Sequence, residues 1–195
     1  MLKISISGLP GSGVTAILSE TRKILGLKYR VEILDSIRGK NPFDNASRSG
    51  FISCFFDLTA QINEENTRGM TNPTLLLTNR SILDYWNLWM HELPHKTHSE
   101  QLQEKDEMLR HLVNFWTRSY DHFYFVHRDF KQIQESLEST SSSELSEESL
   151  RDMETGYLEI ASSLGIQVTE IWNNGSIDEV SQNLIASISE LLTVD

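Results

Sequence analysis

The sequence predicts an α/β fold, a three-layer sandwich around a five-stranded parallel sheet, on three observations. Short apolar runs at Leu2–Ser7, Tyr29–Leu34, Thr74–Thr78, His122–Val126 and Ile166–Ile171 alternate with stretches whose apolar residues recur at helical spacing. Thr74–Thr78 (TLLLT) is continuously apolar, as a parallel strand buried on both faces must be. The first run ends abruptly in a glycine-rich stretch, and a helical pattern follows. The 195 residues suit one domain, 1–195, long enough to bury a core, and no internal repeat is visible.

In chain order, Leu2–Ser7 feeds the loop Gly8-Leu9-Pro10-Gly11-Ser12-Gly13-Val14-Thr15, and a helix runs from about Val14 to Leu25. Its apolar positions Ala16, Ile17, Ile24 and Leu25 have helical spacing, and Gly26 is its stop. Tyr29–Leu34 is the second strand, with Asp35 at its carboxyl end. A polar loop, Gly39 to Gly50, follows, with Arg38 at its entrance and Arg48 near its exit. Phe51 to about Asn66 reads as a helix. After the third strand, Asn79-Arg80-Ser81 opens a helix through Ile82, Leu83, Tyr85, Trp86 and Trp89, ended by Pro94. The next helix, about Ser99–Ser119, carries the stripe Leu102, Met108, Leu109, Leu112, Val113 and Trp116. The last helix, about Ile177–Leu192, shows Val180, Leu184, Ile188 and Leu191 on one face.

One segment is compositionally biased. Glu135 to Ser149 (ESLESTSSSELSEES) is mostly serine and glutamate, which predicts a mobile segment poor at packing, with a solvated loop running into a helix as the alternative.

The glycine loop carries the chemistry. Gly8, Gly13 and Thr15 match the phosphate-binding pattern G-x-x-x-x-G-K-[ST], and the strand and helix flank it in the required order. Glycines let the backbone aim its N–H groups inward at a polyphosphate, and the helix adds its positive N-terminal end. Gly8, Pro10, Gly11, Ser12, Gly13, Val14 and Thr15 are thus the candidate nucleotide-binding residues, with the Thr15 hydroxyl placed to hold magnesium. Position 14 departs from the pattern: valine stands where a lysine would reach the β- and γ-phosphates. Valine neither donates a hydrogen bond nor carries charge, so binding is better supported than catalysis.

Composition narrows the partners. With 38% hydrophobic and 23% charged residues the chain reads as a soluble globular protein. A formal net charge of −11 with scattered basic residues argues against an extended nucleic-acid surface, while a local pocket for one phosphorylated ligand stays compatible. No apolar run approaches the roughly 18 residues of a membrane span. Met1 leads straight into a strand, which predicts a chain without a targeting extension. The single cysteine, Cys54, sits in an apolar run, excludes an internal disulfide and points to a cytoplasmic setting.

In parallel sheets ligands sit at the carboxyl ends of the strands. Asp35, Asn79-Arg80 and His127-Arg128 all fall there, on the edge that holds the glycine loop. Other features weigh less. His91-Glu92-Leu93-Pro94-His95 spells H-E-x-x-H, but Pro94 breaks the continuous helix a zinc pair needs. Tyr85, Trp86 and Trp89 read as core packing, with base stacking as the alternative. Asp84 stands one helical turn beyond Arg80, where it could orient it.

The order of glycine loop, acidic residue closing strand 2, and strand 3 running into x-Arg-Ser (TLLLTNRSILDYW) resembles the small P-loop kinases. The likeness is to the deoxynucleoside and thymidylate kinases and the NadR-like (AAA ATPase/kinase) family, and it covers about residues 2 to 190. It implies a P-loop nucleoside/nucleotide-kinase fold that binds a purine nucleotide, ATP or GTP, with Mg2+. It also implies transfer of the ATP γ-phosphoryl group to a nucleoside-like acceptor. Residue by residue, Arg80 would contact a phosphate, Asp35 would accept the acceptor's proton, and Arg128 would offset charge. Thr15 and Asn79 would serve the metal, and residues of about 128–150 would form a lid. Asn79 replaces the acidic residue of the family's Asp-Arg-Ser or Glu-Arg-Ser, a second departure beside Val14. The alternative reading is a catalytically impaired kinase-like module that senses a nucleotide or binds a partner. A GTPase-like switch is disfavoured, because the base-reading N-K-x-D motif is absent and Asn173-Asn174-Gly175 is no substitute. Self-association into a homo-oligomer stays open.

Overall fold

The computed structural model describes residues 1–36, 50–92, 100–139 and 146–193. Five parallel strands form one sheet in the order β2-β3-β1-β4-β5: β1 (Leu2–Gly8), β2 (Val31–Leu34), β3 (Leu75–Asn79), β4 (His122–His127) and β5 (Val168–Trp172). The helices are α1 (Val14–Leu25), α2 (Phe51–Met70), α3 (Ile82–Glu92), α4 (Glu100–Thr117), α5 (Phe130–Ser139), α6 (Glu147–Ser163) and α7 (Ile177–Leu191).

Side-chain alternation along the strands builds two cores. Ile4 and Ile6, Leu75 and Leu77, and Tyr124 and Val126 face α1 and α7, where Ile17, Leu18, Leu184 and Ile188 meet them. Phe123 and Phe125 point to the other face, where the aromatic side of α3 packs with α2, α4 and α6. The expected three-layer α/β sandwich is the fold observed.

Most element boundaries differ from the sequence reading by one or two residues, and two differences are larger. Helix α2 runs on past Asn66 to Met70, with the Thr67 hydroxyl donating back to the Asn63 carbonyl inside the helix. The described ends of the Ser/Glu-rich segment are helical or helix-capping, which its composition does not suggest. Glu135 to Ser139 complete α5, whose Ile133 and Leu137 are buried, and Ser146 caps α6 by accepting from the Ser149 N–H. Composition missed this because two apolar residues at helical spacing suffice to seat a short helix on an existing surface. Arg38, Arg48, Pro94, His95 and His98 lie outside the described residues. Among the described residues no helix is long and apolar enough to cross a membrane. Cys54 is buried, its thiol donating to the Tyr85 carbonyl.

The end of the sheet opposite the glycine loop is tied by buried ions. Lys3 pairs with Glu65 and lies over the rings of Trp116 and Tyr120. Glu65 also accepts from Tyr120 Oη, from Trp116 Nε1 and from Gln61 Nε2. Burial lowers the Lys3 pKa, with the Glu65 charge working against that fall.

Candidate functional site

β1 is the central strand, so the loop that leaves its carboxyl end sits in the middle of the sheet's edge. Gly11 and Gly13 both take positive φ, 83° and 92°. At Gly13 a side chain is doubly excluded, since a Cβ would lie 2.7 Å from Asn173 Nδ2. That Asn173 amide donates to the Ser12 carbonyl at 2.7 Å, while its own N–H donates to the His127 carbonyl. The segment after β5 therefore straps the loop to β4. Ser12 Oγ is buried with no partner among the described residues.

Val14 is the first residue of α1 and belongs to the core between α1 and α7, with 8% of its surface exposed. Where the pattern has an ammonium group, this chain has a packed methyl pair. Thr15, next along, is exposed, and its hydroxyl accepts a hydrogen bond from Asn79 Nδ2 at 3.1 Å. The start of α1 and the end of β3 thus present Thr15 and Asn79 side by side.

Arg80 holds φ at 87°, an uncommon backbone for a residue with a side chain. Its N–H donates to the Ile6 carbonyl, and Gln61 Nε2 reaches its carbonyl at 3.4 Å, so both neighbouring layers hold the turn. Immediately after it, Ser81 and Asp84 form a reciprocal cap on α3. Asp84 Oδ2 accepts from the Ser81 N–H at 2.7 Å, and Ser81 Oγ accepts from the Leu83 N–H. The same Oδ2 accepts from Ser7 Oγ at 2.7 Å, and Ser7 Oγ accepts from Tyr157 Oη at 3.1 Å. Burial raises the Asp84 pKa, opposed by the Arg80 charge and by the hydrogen bonds from Ser7 and Ser81. Burial likewise pushes the Tyr157 phenol up, and the Asp84 charge adds to it.

On the other side of β1, Arg128 Nη1 donates to the Gly11 carbonyl at 2.7 Å, and its Nε to Gln132 at 3.2 Å. Helix α5 follows at once and presses Ile133 and Leu137 against Gly11. His127 is buried between two carboxylates: Nδ1 lies 2.7 Å from Glu154, and Nε2 lies 2.8 Å from Glu170. The first is a hydrogen bond; the second has ion-pair distance without hydrogen-bond alignment. Burial opposes charge on the ring, but the two glutamates outweigh it and the His127 pKa is raised. Trp172, 61% exposed, stacks on the ring at 4.6 Å.

Of the residues expected from sequence, the structure brings Gly8 to Thr15, Asn79, Arg80 and Arg128 together around the loop. Asp35 is exposed just beyond β2. β2 is two strands from β1, roughly 10 Å at ordinary strand spacing, so Asp35 stands off from the loop. Asp84 is the carboxylate bonded to the loop end of β1, at Ser7. Its spacing from Ser81, S-x-x-D, is a capping signature that the sequence displays. Asn173, Ser7 and Tyr157 carry no comparable signal, because each depends on a contact across more than a hundred residues of chain.

No protein-family model matches the chain, and no curated protein matches it in sequence. Solved structures do resemble it in shape. Deoxyadenosine kinase from M. mycoides with bound dCTP superposes at TM-score 0.72 with 15% identity, covering 97% of this chain and 100% of that one. The same enzyme with bound dATP gives 0.71 at 15% identity, over 96% of this chain and all of that one. With the products dCMP and a flexible dCDP it gives 0.70 at 16%, over 97% and 100%. The fold is that of a P-loop deoxynucleoside kinase.

Proposed function

We propose that the chain binds a purine nucleoside triphosphate with Mg2+ and acts on its γ-phosphoryl group, as a kinase-like phosphotransferase. The observation that carries the reading is the loop Gly8–Thr15 at the centre of the sheet edge, with the Thr15 hydroxyl exposed and Asn79 bonded to it. The shape likeness to an enzyme solved with dATP and with dCTP supports nucleoside triphosphates as the ligand class, without choosing the base.

Here the backbone N–H groups of Gly11 and of Gly13 to Thr15 cradle the phosphates, reinforced by the N-terminal end of α1, while the Ser12 N–H closes the loop on the Leu9 carbonyl. The donor set suits magnesium held mainly by the nucleotide. Thr15 Oγ1 and Asn79 Oδ1 are hard neutral oxygens, and among the described residues no group of three acidic, histidine or cysteine side chains forms a self-sufficient metal site. Bound there, the ion would neutralise charge on the β- and γ-oxygens. Arg80 offsets charge from the β3 side and Arg128 from the β4 side. Arg128 is the described cation that touches the loop backbone, whereas Lys3 is bound to Glu65 at the far end and Lys23 pairs with Glu20. Asp35, two strands away, would meet a bulky acceptor, and among the described residues the lid role would fall to α5 and the start of α6.

A second reading rests on Val14. A buried apolar side chain at the lysine position favours a module that binds nucleotide without turnover. Calorimetric titration with ATP and GTP, with and without Mg2+, on the wild type and Val14→Lys tests both. Micromolar, Mg2+-dependent binding by the wild type supports the site. Binding that appears only in Val14→Lys marks the loop as a relic.

A further inference from the structure

Between the loop and α6 lies a cleft lined by Gly8, Leu9, Arg80, Asp84, Phe125 and Tyr157, with about 10 Å³ of free space, room for about one water. Pockets for small organic ligands run to roughly 300–1,000 Å³. The narrowness is built in. Asn87 Nδ2 donates to the Met153 carbonyl at 2.7 Å and ties α3 to α6. Gly156 permits that approach, since a Cβ there would lie 2.6 Å from Asn87 Oδ1. The layer below is filled by Tyr85, Trp86 and Trp89, all buried, and Asp106 accepts from both indoles.

We infer that the acceptor taken by this cleft is water, and that the chain is a nucleoside triphosphate hydrolase in which Asp84 receives the proton of the attacking water. The inference rests on the nucleotide reading above and replaces its nucleoside-like acceptor. The water oxygen forms a bond to the γ-phosphorus. The bond from that phosphorus to the β,γ-bridging oxygen breaks, its electron pair leaving with the nucleoside diphosphate. One water proton passes to the Asp84 carboxylate, and inorganic phosphate is the second product.

Asp84 is suited to this on three grounds. Its described hydrogen bonds all fall on Oδ2, which leaves the lone pairs of Oδ1 for a water. Ser7, itself bonded by Tyr157, fixes the carboxylate beside Gly8. Burial strengthens its hold on a proton, while Arg80 and the serine bonds keep the ionised form accessible. A phosphorylated acceptor would meet this buried carboxylate as a like charge. Asp84 also caps α3, so a variant must keep the cap, and Asp84→Asn does.

The experiment measures ATP binding by calorimetry and, separately, phosphate and ADP release from Mg2+–ATP, with and without a panel of nucleosides. Expected is phosphate release equal to ADP release without any nucleoside, and no stimulation when nucleosides are added. Asp84→Asn should bind ATP as the wild type does, release phosphate about 100-fold more slowly, and lose the acidic limb of the rate–pH profile. ADP formed only when a nucleoside is present overturns the inference, as does wild-type release by Asp84→Asn. Binding without release under either condition also overturns it and leaves the non-catalytic reading. Absence of binding refutes the nucleotide site itself, a failure the separate titration distinguishes.

Discussion

Arg128→Ala is the sharpest test of how this loop manages without its lysine. The guanidinium donates to the Gly11 carbonyl at 2.7 Å and, through Nε, to Gln132 on the first turn of α5. A hydrogen bond from a charged donor is worth about 1.5–3 kcal/mol when its partner is left unsatisfied. Arg128 is only partly buried, so water recovers part of that, and about 1 kcal/mol is expected for stability. For a chain of this length that lowers Tm by about 2–4 °C. The effect on ligand is larger. A unit charge about 4 Å from a phosphate oxygen contributes up to about 4 kcal/mol at an effective dielectric of 20. Half of that, about 2 kcal/mol, corresponds to roughly 30-fold in Kd. Calorimetric titration of Mg2+–ATP into wild type, Arg128→Ala and Arg128→Lys reads it directly. The lysine variant should fall between, keeping charge but losing the planar fork. Loss of Tm with unchanged Kd for ATP would refute the reasoning and make Arg128 a strut between the loop and α5.

Other perturbations test the surroundings of the loop. Gly13→Ala forces a side chain onto φ 92° and within 2.7 Å of Asn173 Nδ2, so it should break the strap and weaken nucleotide binding by more than Asn173→Ala alone, read by the same titration. Glu65→Ala strands the buried Lys3 ammonium and should cost about 3–5 kcal/mol in urea unfolding; a loss under 1 kcal/mol would show that water reaches Lys3. The raised His127 pKa gives a pH dependence of definite sign. Its stabilisation is complete below the unfolded value near 6.5 and is lost as pH rises through the higher folded value. Stability from urea unfolding should therefore drop from pH 6 to pH 8 more in wild type than in Glu154→Gln.

The sequence by itself determined the sheet, the layers and the loop. Periodicity of two in Leu2, Ile4 and Ile6, the continuous run of β3 and the glycines of residues 8 to 13 are local signals, and local sterics and burial act on neighbours in the chain. Cations and carboxylates at strand ends could be placed on one edge because all the strands run parallel. Tertiary structure decided which of them meet. Strand order put β2 two places from β1 and so set Asp35 apart, while the turn at Arg80 brought Asp84 onto Ser7. Packing also decided the start of the Ser/Glu-rich segment, where Leu137, with Ile133 just before the segment, gained a surface to bury against, and the role of Asn173, which reaches Ser12 across 161 residues. Such contacts leave no periodic mark in a sequence, because their energy comes from partners that only the closed sheet brings within reach.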